Sequence, residues 1–215
     1  MPNRVVVDDP QHPDPGLAEL YASLPDAEDL EPWLSWCQRA EGEVLYLGAG
    51  AGRLAVPLAA HGVLLVAVDS HPGMLERLAG RAPGIERHQE RIEDLDLGRA
   101  FELVMAPSNI LVDETRLARA ARHVAPHGRL GFELMNPHWL AGGGGGNVRV
   151  LFFQPERCRL EVDYPGGFTH RAEVRLVWPG EIEDFLAGSD LSLVVMRGSA
   201  EDLESSPTFT VLARR

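Results

Sequence analysis

The sequence predicts an α/β fold in which helices cover both faces of a mostly parallel sheet. Two unbroken apolar runs, residues 44–47 and 63–68, are typical of strands buried on both faces. Each run is followed by apolar residues three or four positions apart, which is the spacing of a helix face. After residue 146, polar and apolar residues alternate instead, which favours a smaller antiparallel sheet with one solvated face.

The first strand runs directly into a glycine-rich turn, residues 48–52 (GAGAG), and then into a helix with Leu54 and Leu58 one turn apart. A strand, a tight turn and a helix start together leave backbone N–H groups facing an open crevice. This geometry suits a carboxylate, a phosphate or a ribose hydroxyl.

The second strand ends in a carboxylate, Asp69, about 20 residues beyond the glycines. In a strand–helix–strand unit an acid at this distance reaches both hydroxyls of a ribose, and each charge-assisted bond contributes about 1.5–3 kcal/mol. Alternatively, Asp69 caps the helix that starts at Pro72, although Ser70 is equally placed to do so. We favour the ribose interpretation.

The glycine spacing separates two classes of nucleotide-binding protein. Dinucleotide enzymes use G-x-G-x-x-G, whereas here the spacing is G-x-G-x-G and Arg53 stands where the third glycine is expected. The run VLYLGAGAGR resembles the first motif of the class I S-adenosylmethionine-dependent methyltransferases, VLxLGxGxGR. The resemblance implies a Rossmann-like, seven-stranded sheet with a helical N-terminal lid. It also implies in-line transfer of a methyl group from S-adenosylmethionine to a small-molecule acceptor.

The same resemblance assigns cofactor contacts along the chain. Met74 is expected beside the adenine ring, and Tyr21 in the N-terminal lid. The segment FELVMAPSNIL, which is similar to FDLVxAxxNxL, is expected to border the sulfonium and the methyl group. In the adenine-binding segment Arg91 takes the place of the usual acid. The full set is Tyr21, Gly48, Ala49, Gly50, Gly52, Arg53, Asp69, Ser70, Met74, Ile92, Glu93, Ala106 and Asn109.

For several of these residues, a structural role is an alternative to cofactor binding. Tyr21 and Met74 are equally well explained as packing residues, and Ile92 and Glu93 as members of an ordinary charged loop. Asn109 is also a good residue for capping a turn.

If the acceptor is a hydroxyl or a protonated amine, a general base is needed. His138 is the first candidate because it follows the fifth strand, and His170 and Tyr164 in the antiparallel segment come next. A lone histidine is more often a surface or capping residue, and many relatives need no base. Tyr21, Glu133 or Trp139 is expected to face the positive sulfonium.

The chain divides into four segments that differ in their residue patterns. These are an N-terminal segment with lid helices (1–40), a cofactor-binding core (41–141), an antiparallel insertion (142–178) and a C-terminal helix with the last two strands (179–215). Five glycines, residues 142–146, mark a flexible hinge before the insertion. The insertion could serve as an acceptor lid or as a dimer interface. A homodimer is therefore one of the oligomeric states that the sequence allows.

Composition excludes several other functions. A net charge of -12 and a pI near 5.1 argue against nucleic acid as the main partner. All 20 basic residues are arginine, so neither a P-loop nor a Schiff-base mechanism is available. Cys37 and Cys158 lack metal-ligand spacing, and no metal site is expected. Without a signal peptide or membrane span, we expect a cytoplasmic protein.

Two other functions remain as alternatives to methyl transfer. One is a nicotinamide-dinucleotide-dependent oxidoreductase, which Arg53 disfavours. The other is a non-catalytic descendant that binds the cofactor without turnover.

Overall fold

The computed structural model describes residues 3–7, 9, 12–200 and 202–215, and these residues form two β-sheets flanked by short helices. The first ten elements are β1 (Arg4–Val7), α1 (Pro15–Ser23), α2 (Trp33–Cys37), β2 (Val44–Leu47), α3 (Ala55–Ala60), β3 (Leu65–Asp69), α4 (Pro72–Arg81), β4 (Glu86–Gln89), β5 (Phe101–Ala106) and α5 (Glu114–Arg122). The remaining elements are β6 (Val124–Met135), α6 (Pro137–Ala141), β7 (Gly144–Gly145), β8 (Val148–Gln154), β9 (Arg157–Tyr164), β10 (Phe168–Arg175), α7 (Ile182–Leu186), β11 (Ser192–Gly198) and β12 (Thr208–Arg214).

The larger sheet has seven strands in the order β11-β12-β6-β5-β2-β3-β4. Strands β2 to β6 are parallel, whereas β12 runs antiparallel to β6 and to β11. The chain starts in the middle at β2, adds β3 and β4 on one side, and then crosses over to β5. The strand order therefore reverses between β2 and β5, which is where sheets of this kind bind ligands. The predicted seven-stranded, mostly parallel sheet is confirmed.

Apolar side chains on both faces of this sheet form two separate core clusters. One includes Leu45, Leu47 and Phe132, and the other includes Tyr46 and Trp36. Because successive residues of a strand point to opposite faces, β2 is buried on both sides and must be apolar throughout. This burial explains the continuous apolar run seen in the sequence.

Helix α2 packs closely on β6 because that strand carries a glycine at the contact. A Cβ atom at Gly131 would lie 2.7 Å from Cζ3 and 2.8 Å from Cε3 of Trp36. Any larger residue would push the helix away from the sheet.

Helix starts follow the predicted capping chemistry. Asp113 accepts a hydrogen bond from the N–H of Arg116 at 2.9 Å and so caps α5, as predicted. Pro72 occupies the start of α4, where its missing N–H costs nothing.

The smaller sheet has the order β1-β10-β9-β8-β7, and it departs from prediction at two places. Residues 4–7, predicted as an extended part of the N-terminal segment, form an edge strand parallel to β10. The glycine run forms the turn of a hairpin, in which Gly144 and Gly145 pair with β8 beneath Trp139. The pairing of β1 arises from a contact with residues far along the chain, which local sequence patterns do not encode.

Strand β6 is longer than predicted. It begins at Val124 rather than Arg129 and includes His127, whose φ of 65° produces an irregularity instead of a separate turn. Among the described residues, no helix is both long and apolar enough to span a membrane.

Candidate functional site

A cleft of about 610 Å³ lies between the carboxyl ends of the parallel strands and the inner face of the smaller sheet. Its volume is typical of small-ligand sites. Of the thirteen predicted cofactor residues, nine line this cleft: Tyr21, Gly48, Gly50, Asp69, Ser70, Met74, Ile92, Glu93 and Asn109.

The glycine turn forms the floor of the cleft between β2 and α3. Gly48 has a φ of 70°, and a Cβ atom there would lie 2.7 Å from Cδ1 of Ile110. Gly50 also has a positive φ, of 55°, but a Cβ atom there would have no neighbour within 4 Å. The turn therefore needs glycine for its backbone and leaves open space above Gly50.

Asp69 fixes this turn to the neighbouring strand. Its carboxylate accepts one hydrogen bond from the N–H of Gly50 and another from the N–H of His71, each at 2.8 Å. The second bond goes to His71, the residue before α4, and α4 has no side-chain cap, so Asp69 does not take the capping role considered from sequence. Because Asp69 also lines the cleft, its contact with a ribose stays a prediction.

The wall formed by Met74, Ile92 and Glu93 is the predicted adenine site. Glu93 accepts a hydrogen bond from Nε of Arg116 at 2.9 Å. Partial burial raises the pKa of Glu93, but hydrogen bonding to its backbone and the pairing with Arg116 outweigh this effect, and the pKa is lowered overall. Glu93 is therefore an anion at neutral pH and is already paired.

Asn109 presents an unused donor at the mouth of β5. Its Oδ1 accepts from the N–H of Met135 at 2.8 Å, and its buried Nδ2 has no hydrogen-bond partner among the described residues. Buried donors without partners are uncommon in proteins. A ligand acceptor atom in the cleft would satisfy this one.

Aromatic side chains cover the cleft from α1 and the smaller sheet. The ring of Tyr21 lies 6.2 Å from that of Tyr164 and 6.1 Å from that of His170, measured between centroids. All three residues line the cleft. The two alternative bases predicted from sequence, His170 and Tyr164, are thus placed over the site.

Glu133, on β6, is the acid with the most perturbed environment in the cleft. Burial raises its pKa from about 4.5 to about 7, although a hydrogen bond from the hydroxyl of Thr208, at 3.2 Å, acts in the opposite direction. The carboxyl group therefore changes charge near neutral pH. Groups tuned in this way are concentrated at functional sites.

His138, the first candidate base, lies outside the cleft, which corrects its predicted position at the crevice mouth. Its side chain is exposed, and its ring packs edge-on against Trp178 at 4.9 Å. The cause is Asn136, two residues earlier, which caps α6 while its Nδ2 donates to the carbonyls of Leu203 and Ser206. This anchoring directs α6 away from the site.

Five other predicted residues lie behind the cleft surface or beside it. Ala49, Gly52 and Ala106 are buried in the core, and Trp139 covers the glycine hairpin. Arg53 donates from Nε to the carbonyl of Pro25 at 2.7 Å. It therefore ties the loop before α2 to the glycine turn and takes no place in the cleft lining.

The cleft residues missed from the sequence include His71 and Arg116. His71 reaches the carbonyl of Asp14 with Nε2 at 3.0 Å and joins the start of α1 to α4. Arg116, in the first turn of α5, pairs with Glu93. The position of His71 just after the end of β3 is a signal that would have found it, whereas Arg116 follows β5 only after a long loop and has no such signal. Within the described part of the chain, no three His, Cys, Asp or Glu side chains form a potential metal site.

Comparisons with known proteins agree with this geometry. Residues 44–128, which include the glycine turn, Asp69 and Asn109, match the family model described as a methyltransferase domain. This part of the chain is therefore similar to a methyltransferase domain. A search of curated proteins finds no match for the chain.

Solved structures extend the likeness to nearly the whole chain. The CcbJ methyltransferase from Streptomyces caelestis is 20% identical, with a TM-score of 0.65 over 96% of this chain and 92% of that one. The glycopeptide N-methyltransferase MtfA, complexed with S-adenosyl-L-homocysteine, is 16% identical, with a TM-score of 0.65 over 89% and 92%. CalS10, an amino pentose methyltransferase from Micromonospora echinaspora, is 18% identical, with a TM-score of 0.65 over 84% and 86%. At these identities the likeness shows the fold, and the class I methyltransferase resemblance is confirmed.

Proposed function

We propose that this methyltransferase uses S-adenosylmethionine and transfers its methyl group to a small-molecule acceptor by in-line displacement. The observation that carries the proposal is the junction of the glycine turn with Asp69. The N–H of Gly50 donates to the Asp69 carboxylate at 2.8 Å, and both residues line one cleft where the strand order reverses.

The residues around the cleft fit an adenosyl cofactor. The open space above Gly50 leaves room for the amino-acid end, and Asp69 is the acceptor for the ribose hydroxyls. Met74 and Ile92 supply apolar walls for the adenine ring. The unpartnered Nδ2 of Asn109 is a donor for the part of the ligand near β5.

When bound, the cofactor supplies a methyl group that its sulfonium has already activated. The contribution of the protein is to align the acceptor, which supplies about 7–11 kcal/mol of a typical barrier through orientation. The inner face of the smaller sheet excludes water from this region with alternate apolar residues of β8, β9 and β10. These residues are Val148, Leu160, Val162, Ala172 and Val174. We infer an acceptor with an apolar body from this surface.

Ligand-dependent melting separates methyl transfer from the oxidoreductase alternative. We expect S-adenosylhomocysteine to raise the melting temperature and NAD⁺ or NADH to leave it unchanged, because only a ligand that binds the folded state stabilises it. A rise with NADH but not with S-adenosylhomocysteine would overturn the proposal. A non-catalytic descendant would bind S-adenosylhomocysteine but release none from S-adenosylmethionine with any acceptor.

A further inference from the structure

The end of the cleft at β6, where we place the acceptor, contains a carboxylate that is not among the thirteen predicted cofactor contacts and that the sequence offered only as one of three groups facing the sulfonium. Glu133 lies on β6, which is separated from the glycine turn of β2 by the intervening strand β5. The glycine turn and Asp69 occupy one side of the point where strand order reverses, and Glu133 occupies the other side. Its position is therefore that of an acceptor contact.

No cationic side chain compensates Glu133. In the described residues it forms no ion pair, and its one hydrogen bond comes from the hydroxyl of Thr208. A largely buried carboxylate without a cation is costly, so such groups in native proteins are paired, bind ligands or become protonated. Its raised pKa reflects this missing cation.

The roof above the same cleft suits a cation. The ring of Tyr21 lies 6.2 Å from that of Tyr164 and 6.1 Å from that of His170 between centroids. Aromatic faces attract ammonium groups by about 0.5–2 kcal/mol, and more strongly when water is excluded.

A cavity that adjoins the cleft is also acidic. It shares Glu93, Asn109, Arg116 and Val174 with the cleft. It is lined by six carboxylate residues and two arginines, namely Glu93, Asp113, Glu114, Glu173, Glu181, Asp184, Arg116 and Arg175. This excess of negative charge raises the local concentration of cations.

We propose that the methyl acceptor is a small amine that binds as its ammonium ion, with the ammonium group in contact with the carboxylate of Glu133. The inference rests on the proposed methyltransferase function and names its acceptor class. Before transfer, the ammonium gives one proton to the Glu133 carboxylate. The neutral nitrogen then forms a bond to the methyl carbon, while the carbon–sulfur bond breaks and leaves its electron pair on sulfur. The products are a methylated ammonium ion and S-adenosylhomocysteine.

The test uses matched probes on the full chain saturated with S-adenosylhomocysteine. Cyclohexylamine is compared with cyclohexanol, and 2-phenylethylamine with 2-phenylethanol, by calorimetry at pH 7.5. We expect at least one amine to bind tenfold or more tightly than its alcohol. Glu133→Gln should abolish this preference, whereas Glu76→Gln, at an exposed position on α4, should retain it.

A second comparison separates the acceptor from the sulfonium as the partner of Glu133. S-adenosylmethionine carries the positive sulfonium and S-adenosylhomocysteine does not. We expect Glu133→Gln to change neither affinity by more than twofold. If Glu133→Gln lost tenfold in affinity for S-adenosylmethionine but not for S-adenosylhomocysteine, the carboxylate would be assigned to the sulfonium and the inference would be overturned.

The inference would also be overturned if the wild-type protein bound amines and alcohols with equal affinity, or if it bound no amine. Neither result depends on whether Glu133→Gln folds. Failure of S-adenosylhomocysteine to bind would instead refute the proposed function, so the two failures are distinguishable.

Discussion

At the scale of single residues, two acids in one cleft illustrate how surroundings decide what a carboxylate does. Asp69 accepts two backbone N–H bonds and fixes the glycine turn. Glu133 accepts one hydroxyl bond and has no cation beside it. The sequence identified both acids, but it offered Glu133 only as one of three groups facing the sulfonium, because burial by distant strands cannot be read locally.

We predict that Asp69→Ala weakens S-adenosylhomocysteine binding at least tenfold, because two charge-assisted ribose bonds of about 1.5–3 kcal/mol each would be lost. Calorimetry measures the affinity, and circular dichroism checks that the fold is intact. Glu76→Ala, at an exposed position on α4, is the control and should bind normally. Unchanged affinity in Asp69→Ala would refute the ribose assignment.

We predict that Glu133→Gln becomes more stable than the wild type as pH rises. The folded-state pKa of Glu133 is about 7, against an ordinary value near 4.5, so between these values the folded protein retains a proton that the unfolded chain loses. The wild-type free energy of unfolding therefore falls over this interval, and the neutral amide removes the loss. The advantage of the variant should grow from near zero at pH 4.5 to about 2–3 kcal/mol at pH 8.

Urea denaturation at several pH values measures this difference. Tyr46 is the titratable neighbour that interacts with the charge of Glu133, and its own pKa is raised chiefly by burial, so it stays neutral across the range. Parallel stability curves for the variant and the wild type would contradict the prediction.

At the scale of elements, local residue patterns predicted the strands and helices of the larger sheet more accurately than the strands of the smaller sheet. The apolar runs of β2 and β3, the start of α4 at Pro72 and the cap of α5 depend on neighbouring residues, so the sequence shows them. The pairing of β1 with β10 and the direction of α6 depend on remote contacts. This is why His138 was placed in the cleft from its position after β6 but lies beside Trp178.

Helix packing predicts that alanine substitutions at two glycines change the stability of the protein in opposite directions. Gly131→Ala should destabilise the protein by about 1–3 kcal/mol, because its Cβ would overlap the ring of Trp36. Gly80→Ala, in α4, should stabilise it by about 0.5–1 kcal/mol, because nothing lies within 4 Å and alanine loses less backbone entropy. Thermal unfolding of both variants measures the effects, and equal shifts would contradict the packing account.

The N-terminal strand gives a prediction about local opening. Val6 is fully buried against Leu17, Leu20 and Met74, whereas Val5 is 46% exposed. Val6→Ala should speed amide hydrogen exchange in α1 at least fivefold, because it removes apolar contacts that hold this segment, while β2 and β3 exchange as before. Val5→Ala should leave all rates unchanged. Faster exchange throughout the sheet would mean that the segment does not open separately.

At the scale of the whole molecule, the sequence predicted the cofactor half of the cleft better than the acceptor half. Glycine spacing and an acid at the next strand end are local signals, and Gly50 and Asp69 were found together as expected. The acceptor half is assembled from β6, the lid helix and the smaller sheet, which contribute Glu133, Tyr21 and His170. Residues so distant in sequence have no common pattern, so only the folded chain brings their chemistry together.

The parallel pairing of residues 4–7 with residues 168–171 also sets an order of assembly during synthesis. The ribosome delivers β1 first, yet its partner strand emerges only after β2 to β6 have been made. Long-range pairings of this kind form late, because the intervening chain must be closed into a loop. The part of the cleft formed by β2 and β3 can thus fold while the nascent chain still lacks the smaller sheet, and β1 pairs late although it is made before β2.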